Sequence, residues 1–273
     1  GFYTIGSAGH EGNAVVGRIT RHTDMAFLHY RSGAFLAERA RQVPGLDFIR
    51  DTMLSFAASA EDPISGGRHK VWGSVEMHVP PQTSTIASHL PKAVGAALAL
   101  GRAKKLGLAA CPAADDIVIC SFGDASVNHA VAQTAFNSAA WATYQNIPIP
   151  ILFLCEDNGI GISVHTPPGW VEASMSCRPG IHYYLANGLD ILEAHSIVKE
   201  AIADCRRRRR PVFLHFKTVR LLGHAGSDPE MEYHTWEEIE AAEAKDPLLT
   251  TARLVIEHGV MSPPQILQKY ENV

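Results

Sequence analysis

Three short segments of the chain carry side chains able to bind a metal ion or a polyanion. They are Gly123-Asp124-Ala125-Ser126-Val127-Asn128, Glu156-Asp157-Asn158-Gly159-Ile160-Gly161 and the stretch 220–229, RLLGHAGSDP, which contains His224. Asp124 and Asn158 offer a carboxylate and an amide oxygen. Joined by a backbone carbonyl they would leave positions open for phosphate oxygens, a set of hard oxygen ligands that suits Mg²⁺ or Ca²⁺ and not zinc. The glycines beside them let backbone approach a diphosphate closely, and the start of a helix after Asp124 favours an anion. Taken singly, Gly-Asp and Asp-Asn-Gly are ordinary turn sequences. Their weight comes from position, because each segment directly follows an apolar run.

Those runs are 116–122 (DIVICSF), 149–155 (IPILFLC) and 211–219 (PVFLHFKTV). Short and apolar almost throughout, they suit strands buried on both faces of a parallel sheet. Segments with helical spacing lie at 92–108, 128–144 and 189–208, so strand and helix alternate and predict an α/β fold: a mainly parallel sheet flanked by helices. Ligands of open parallel sheets bind beyond the carboxyl ends of the strands. If the three strands are neighbours, their polar tips converge on one crevice. Two stretches without periodicity, 61–91 and 166–179, read as long functional loops. Residues 235–273, broken by Pro247 and Pro263-Pro264, read as a peripheral helical segment following a main domain over 1–234.

The 273 residues are 46% apolar with a net charge of −4, a globular composition that excludes a disordered or collagen-like chain. That charge provides no global field toward nucleic acid or anionic lipid. The longest apolar runs, 93–100 and 147–155, fall far short of the ~18 residues of a membrane span. The five cysteines include no C-x-x-C pair, and Cys120 and Cys155 sit in apolar runs, so reduced thiols in a reducing, cytoplasmic compartment are expected. No signal peptide pattern is visible, and a start at Gly1 reads as a fragment or processed piece. The arginine run 206–210 has no interleaved aromatics and precedes a strand, which suits a solvated helix end or a partner contact better than nucleic acid.

F-G-D-A-S-x-N followed by E-D-N-G-I-G-I-S resembles the two-part thiamine diphosphate motif, GDG and then NN. With 7–11 (SAGHE), 29–33 (HYRSG), 66–69 (GGRH), 86–95 and 223–229, the chain resembles the α part of the E1 component of 2-oxo acid dehydrogenases, nearest to bacterial chains in which α and β halves are fused. The resemblance covers nearly the whole chain in the family's order. It implies a thiamine diphosphate-binding fold and Mg²⁺ held by Asp124, the Asn158 side chain and the Ile160 carbonyl. Tyr30 and Arg31 would bind the diphosphate, and the 123–126 tip (Gly123, Asp124, Ala125, Ser126) would surround the cofactor. Ser84 would contact the aminopyrimidine through its main chain, and Ile86 would support the bent cofactor. His224 matches a histidine near the diphosphate and the entering substrate, able to orient a carboxylate or shuttle a proton. His10 and His69 are further catalytic candidates.

The sequence also departs from the pattern. GDA and EDN stand where the family has GDG and NN, and Ala125 is compatible with the site unless that position needs a positive φ. Ala225 replaces a serine that some members have phosphorylated. The glutamate that activates the aminopyrimidine comes, in this family, from the β partner, and nothing in this chain matches it. The resemblance therefore implies oxidative decarboxylation of a 2-oxo acid, branched-chain first and pyruvate next. It also implies acyl transfer to a lipoyl-bearing E2 and an α₂β₂-type assembly with an E1 β subunit or fused β half. Alternatives are another thiamine diphosphate enzyme half, of acetoin dehydrogenase or transketolase type, or a non-catalytic E1-like assembly partner.

Overall fold

The computed structural model describes residues 4–82, 85–108 and 115–272. Ser84 and Cys111 therefore lie outside the described residues. The first half contains α1 (Ala14–Ile19), β1 (Met25–Phe27), α2 (Gly33–Ala40), α3 (Phe48–Phe56), α4 (His89–Lys105), β2 (Val118–Gly123) and α5 (Ala130–Tyr144). Then come β3 (Ile151–Asp157), the short hairpin strands β4 (Ile160–Gly161) and β5 (Val164–His165), α6 (Trp170–Met175), β6 (His182–Asn187), α7 (Ile191–Arg208) and β7 (Val212–Lys217). Three helices close the chain: α8 (Trp236–Glu243), α9 (Pro247–Glu257) and α10 (Pro263–Glu271).

Alternating side chains of the buried strands feed two cores. Cys120, Phe122, Phe153 and Phe213 pack with α4, α5 and α6, and Phe136 of α5 meets the rings of Phe122, Phe153 and Phe213. Ile119, Leu152, Leu154, Leu214 and Phe216 face the other way, against α1, α2 and α7. A strand that is apolar on both faces needs cover on both, which is why these runs carry no polar alternation. The expected α/β architecture of a parallel sheet flanked by helices is the one observed.

The five-stranded sheet runs β1-β2-β3-β7-β6, with every pairing parallel. The three expected strands correspond to β2, β3 and β7, and they are neighbours. Chain order ascends from β1 to β3, jumps to the edge at β6 and returns to β7. The direction reverses between β3 and β7, the kind of place where open α/β sheets bind ligands. Two strands of this sheet escaped sequence reading. β1 is three residues long, and β6 (HYYLAN) is a half-exposed edge strand whose apolar content is diluted.

Helix ends follow local chemistry. Asp190 caps α7 by accepting from the Leu192 and Glu193 N–H groups. Thr235 and Glu238 form a capping box that starts α8, and Pro247 and Pro263 sit in the first turns of α9 and α10. The arginine run is largely spent inside the chain. Arg206 binds the buried Asp24 at 2.6 Å, Arg207 and Arg208 reach Asp204, and Arg209 and Arg210 donate to the carbonyls of Asp116 and Thr143. The loop 166–179 contains α6, whereas the described residues of 61–91 are irregular apart from a bridge between Ser74 and Val79 and the start of α4.

Ala125 does not have a positive φ, so the departure from GDG costs no backbone strain. Its methyl group lies where a side chain on Gly161 would fall: a Cβ there would come within 2.5 Å of the Ala125 Cβ. The alanine in the first tip thus requires a glycine in the second. Gly161→Ala should destabilise the protein by about 1–3 kcal/mol through overpacking, and adding Ala125→Gly should restore most of that loss. Urea denaturation of the two single variants and the double variant checks this; additive losses would show that the two tips are not in contact.

Candidate active site

The strand ends bring a carboxylate into the sheet's interior. Glu156, fully buried at the end of β3, has its Oε2 bonded to His10 Nδ1 at 2.7 Å and Asn13 Nδ2 at 3.0 Å. Its Oε1 accepts from Ser32 Oγ at 3.3 Å, and Ser32 in turn meets Ser121 Oγ at 2.9 Å. Desolvating a carboxylate is costly unless its lone pairs are occupied, and here the N-terminal segment, the start of α2 and the end of β2 supply the partners.

This network reaches the proposed metal tip. His10 Nε2 lies 3.1 Å from Asn158 Nδ2, while Asn158 Oδ1 accepts the Ile160 N–H at 3.1 Å. An amide nitrogen can only donate, so His10 accepts at Nε2 and carries its proton on Nδ1, directed at Glu156. The ring thereby fixes the orientation of the Asn158 amide. With both ring nitrogens engaged and the residue buried, His10 is placed as a support for Asn158 and does not line the cavity described below.

Asp124 begins a 3₁₀ turn directly after β2 and is 2% exposed. Its Oδ1 accepts the Asn158 N–H at 3.4 Å, and its Oδ2 accepts a short hydrogen bond from Thr166 Oγ1. Burial raises its pKa above the usual carboxylate range, and the nearby Asp157 adds to the rise against the Thr166 bond. The next carboxylate along, Asp157, behaves differently. Burial opposes its ionisation too, but hydrogen bonds from His215 at 2.6 Å and Lys217 at 2.5 Å outweigh that and hold its pKa at about 2. Tyr183 completes the chain at His215 Nδ1, 2.6 Å away. Asp157 is thus committed to structure, and Asp124 is the acid left under-compensated. Among the described residues no three His, Cys, Asp or Glu side chains cluster as a metal site.

A second group assembles around His224. Arg31, 2% exposed, donates to the carbonyls of Gly6 at 2.6 Å and His224 at 3.0 Å, and its Nη2 lies 3.3 Å from His224 Nδ1. Guanidinium cannot accept, so His224 accepts at Nδ1 and its neutral ring carries the proton on Nε2. Burial lowers the His224 pKa, and the positive charges of Arg31 and Arg220 lower it further. Its backbone N–H is held by Asp228 at 2.6 Å. Arg220 donates to the Ile162 carbonyl and to Tyr233, while its buried Nε has no partner among the described residues. Sequence reading passed over Arg220, Thr166 and the Glu156 partners Asn13 and Ser32. The available signals were an arginine just ahead of the Gly223-His224 pair and a glutamate closing an apolar strand.

Beside these groups lies a cavity of about 350 Å³. Tyr30, His69, Ile86 and Ser126 line it together, with Leu28, His29, Trp72 and Gln82. His29 is buried against Gly123 and near the Tyr30 ring; burial, followed by neighbouring cationic groups, pushes its pKa well below the usual value. Its Nδ1 and the Gln82 Oε1 have no hydrogen-bond partner among the described residues. A further cavity of about 300 Å³ is lined by Asn158, Ile160, Arg220 and residues of α8. The segment from residue 235 onward therefore contributes a wall close to the site.

Comparison with known proteins adds a sequence-wide match. The family described as "Dehydrogenase E1 component" matches residues 1–272. The 2-oxoisovalerate dehydrogenase subunit alpha of Bacillus subtilis (strain 168) is 33% identical over 218 residues, covering 78% of this chain and 62% of that protein. The mitochondrial subunit of the same name from Mus musculus is 28% identical over 242 residues, 87% of this chain and 49% of that protein. A mitochondrial pyruvate dehydrogenase E1 component subunit alpha, from Sminthopsis macroura, is 28% identical over 183 residues, 65% of this chain and 46% of that protein. The matched region thus spans about half to three-fifths of these relatives' lengths. With the family match running over residues 1–272, the chain belongs to the dehydrogenase E1 component family, on its alpha-subunit side.

Proposed function

We propose that this chain forms the α part of a thiamine diphosphate- and Mg²⁺-dependent enzyme that oxidatively decarboxylates a 2-oxo acid. The observation that carries the proposal is the juxtaposition of Asp124 and Asn158 on neighbouring strand ends, with a neutral His224 nearby. The residues suit both groups. Asp124 is a desolvated carboxylate whose charge a cation would compensate, and the Asn158 amide is held in one orientation by His10. Asp124, the Asn158 oxygen and the Ile160 carbonyl are the proposed Mg²⁺ ligands. The unpartnered polar atoms of His29 and Gln82, in a largely apolar cavity, suit a heteroaromatic ring with polar edges. When bound, thiamine diphosphate supplies the electron sink for loss of CO₂.

The remaining work falls to this chain's side chains. Tyr30 and Arg31 serve the diphosphate side, and Arg31 also pins His224 through its ring and carbonyl. Arg220 adds a buried positive charge to the same side. His224 presents an Nε2–H, which can donate a hydrogen bond that orients a substrate oxygen. His69, exposed at the cavity's edge, is a secondary candidate for substrate contact. Gly123, Ala125 and Ser126 place backbone and a small polar side chain at the cofactor, and Ile86 supplies an apolar support. Ser84 keeps its expected main-chain role on sequence grounds alone. The apolar walls favour branched-chain 2-oxo acids over pyruvate, in line with the names of the relatives. An E1 β subunit or fused β half would supply the activating glutamate in an α₂β₂-type assembly, with transfer to a lipoyl-bearing E2. No helix among the described residues is long and apolar enough to cross a membrane, and we place the enzyme in the cytoplasm.

Asp124→Ala should abolish Mg²⁺-dependent thiamine diphosphate binding by calorimetry, and with it cofactor-dependent decarboxylation by the α–β assembly in an artificial-acceptor assay. Unchanged cofactor affinity would remove the metal assignment. His224→Ala should leave cofactor affinity within about threefold of wild type and lower turnover by about 10²-fold or more, the usual scale for removing one preorganised hydrogen-bond donor. Normal turnover in that variant would refute the role.

A further inference from the structure

The cavity holds a charge that the E1 reaction as described does not use. Lys70 lines it, together with Ile5, Leu28, Phe56, Trp72 and Ile86. Its Nζ sits 3.8 Å from the Trp72 ring centroid and 4.8 Å from that of Phe56. Trp72 is itself fixed, donating its Nε1–H to the Tyr30 carbonyl at 2.9 Å. Among the described residues no carboxylate is within ion-pair distance of Lys70. Asp62 pulls on it only from farther away and spends its own oxygens on Ser65, Ile64 and Gly67. Asp51, which shares the small neighbouring cavity with Lys70, makes no ion pair with it. Every other cavity-lining residue is apolar, neutral polar or histidine. Burial lowers the Lys70 pKa, the expected cost of an ammonium with no counter-ion.

The two aromatic faces fix the ammonium and offset part of its charge, and with no carboxylate at ion-pair distance among the described residues its N–H donors are free to meet an anion entering the cavity. The anions of a 2-oxo acid are its C1 carboxylate and any carboxylate at the far end of its side chain. A fixed cation on C1 would hold the ground state more tightly than the transition state, because that carboxylate's charge moves away as CO₂ leaves. The placement of Lys70 agrees with this. It stands with Phe56 and Trp72 on the α3 side of the cavity, whereas His29 and Ser126 mark the β2 tip where Asp124 lies.

We infer that Lys70 is a specificity residue for 2-oxo acids whose side chain ends in a carboxylate, the intervening methylenes lying against Ile5, Leu28 and Ile86. This rests on the E1 reading and extends it: beside the branched-chain acids that the apolar walls suit, a five- or six-carbon 2-oxo dicarboxylate would gain a charge pairing with Lys70 that a branched-chain side chain cannot make.

The test uses the α–β assembly in three forms: wild type, Lys70→Met, which keeps a stem of similar size without charge, and Lys70→Arg. Calorimetry with glutarate and with 3-methylbutanoate reads the anion site without turnover. Cofactor-dependent decarboxylation of 2-oxoglutarate, 2-oxoadipate and 4-methyl-2-oxopentanoate reads specificity. Expected results are glutarate binding that weakens at least tenfold in Lys70→Met, survives in Lys70→Arg and has no counterpart for 3-methylbutanoate. The kcat/KM ratio of dicarboxylate to branched-chain acid should fall at least tenfold in Lys70→Met, through KM more than kcat. An unchanged ratio, an equal loss on all acids, or no glutarate binding by wild type would overturn the Lys70 role while leaving the E1 reading intact. Lys70-dependent glutarate binding without turnover of any 2-oxo acid would sink the E1 reading and keep the anion site.

Discussion

The site is organised by one buried carboxylate. Glu156 lies one residue before the end of the central strand of the sheet, out of contact with water, and a charge there is tolerated only if its lone pairs are filled. His10, Asn13 and Ser32 fill them, so the N-terminal segment and the start of α2 must dock against the tips of β2 and β3. That docking places His29, Tyr30 and Arg31 beside the Asp124 tip. It also puts His10 between Glu156 and Asn158, where one imidazole answers the buried charge and orients the proposed metal ligand at once. Fold stability and site geometry share these bonds.

Two acids on adjacent strand ends meet opposite fates for a related reason. Asp157 faces His215 and Lys217 from the neighbouring β7 and stays ionised to low pH. Asp124 faces a threonine hydroxyl and a backbone N–H, which is less than its burial requires. An acid left short of compensation in the folded chain is the one poised to accept a cation. The same logic applies to Lys70, a cation in an apolar wall with aromatic faces as its neighbours. In both, burial shifts the pKa further than the described neighbouring groups offset.

The departures from the family pattern are physically coherent with their surroundings. Ala125 in place of glycine is accommodated because Gly161 leaves room for its methyl group. Asp157, where the pattern has asparagine, is matched by the His215–Lys217 pair across the strand. The arginine run, which by composition alone suggests a polyanion partner, is absorbed by Asp24, Asp204 and carbonyls at the end of α7.

Much of this was legible in the linear chain. Near-continuous apolar runs marked β2, β3 and β7, because a strand covered on both faces cannot alternate with polar residues. The polar tips after them exposed the ligand types, and the motif order carried the family resemblance. Sequence could not reveal β1 or β6, one too short and the other too exposed to show a pattern. Nor could it pair His10 with a glutamate 146 positions away, or tell that Asp157 would be neutralised by β7 while Asp124 would not. Residue types and local periodicity are encoded along the chain. Which charge meets which partner depends on strand order and on what is desolvated, and only the packed tertiary structure decides that.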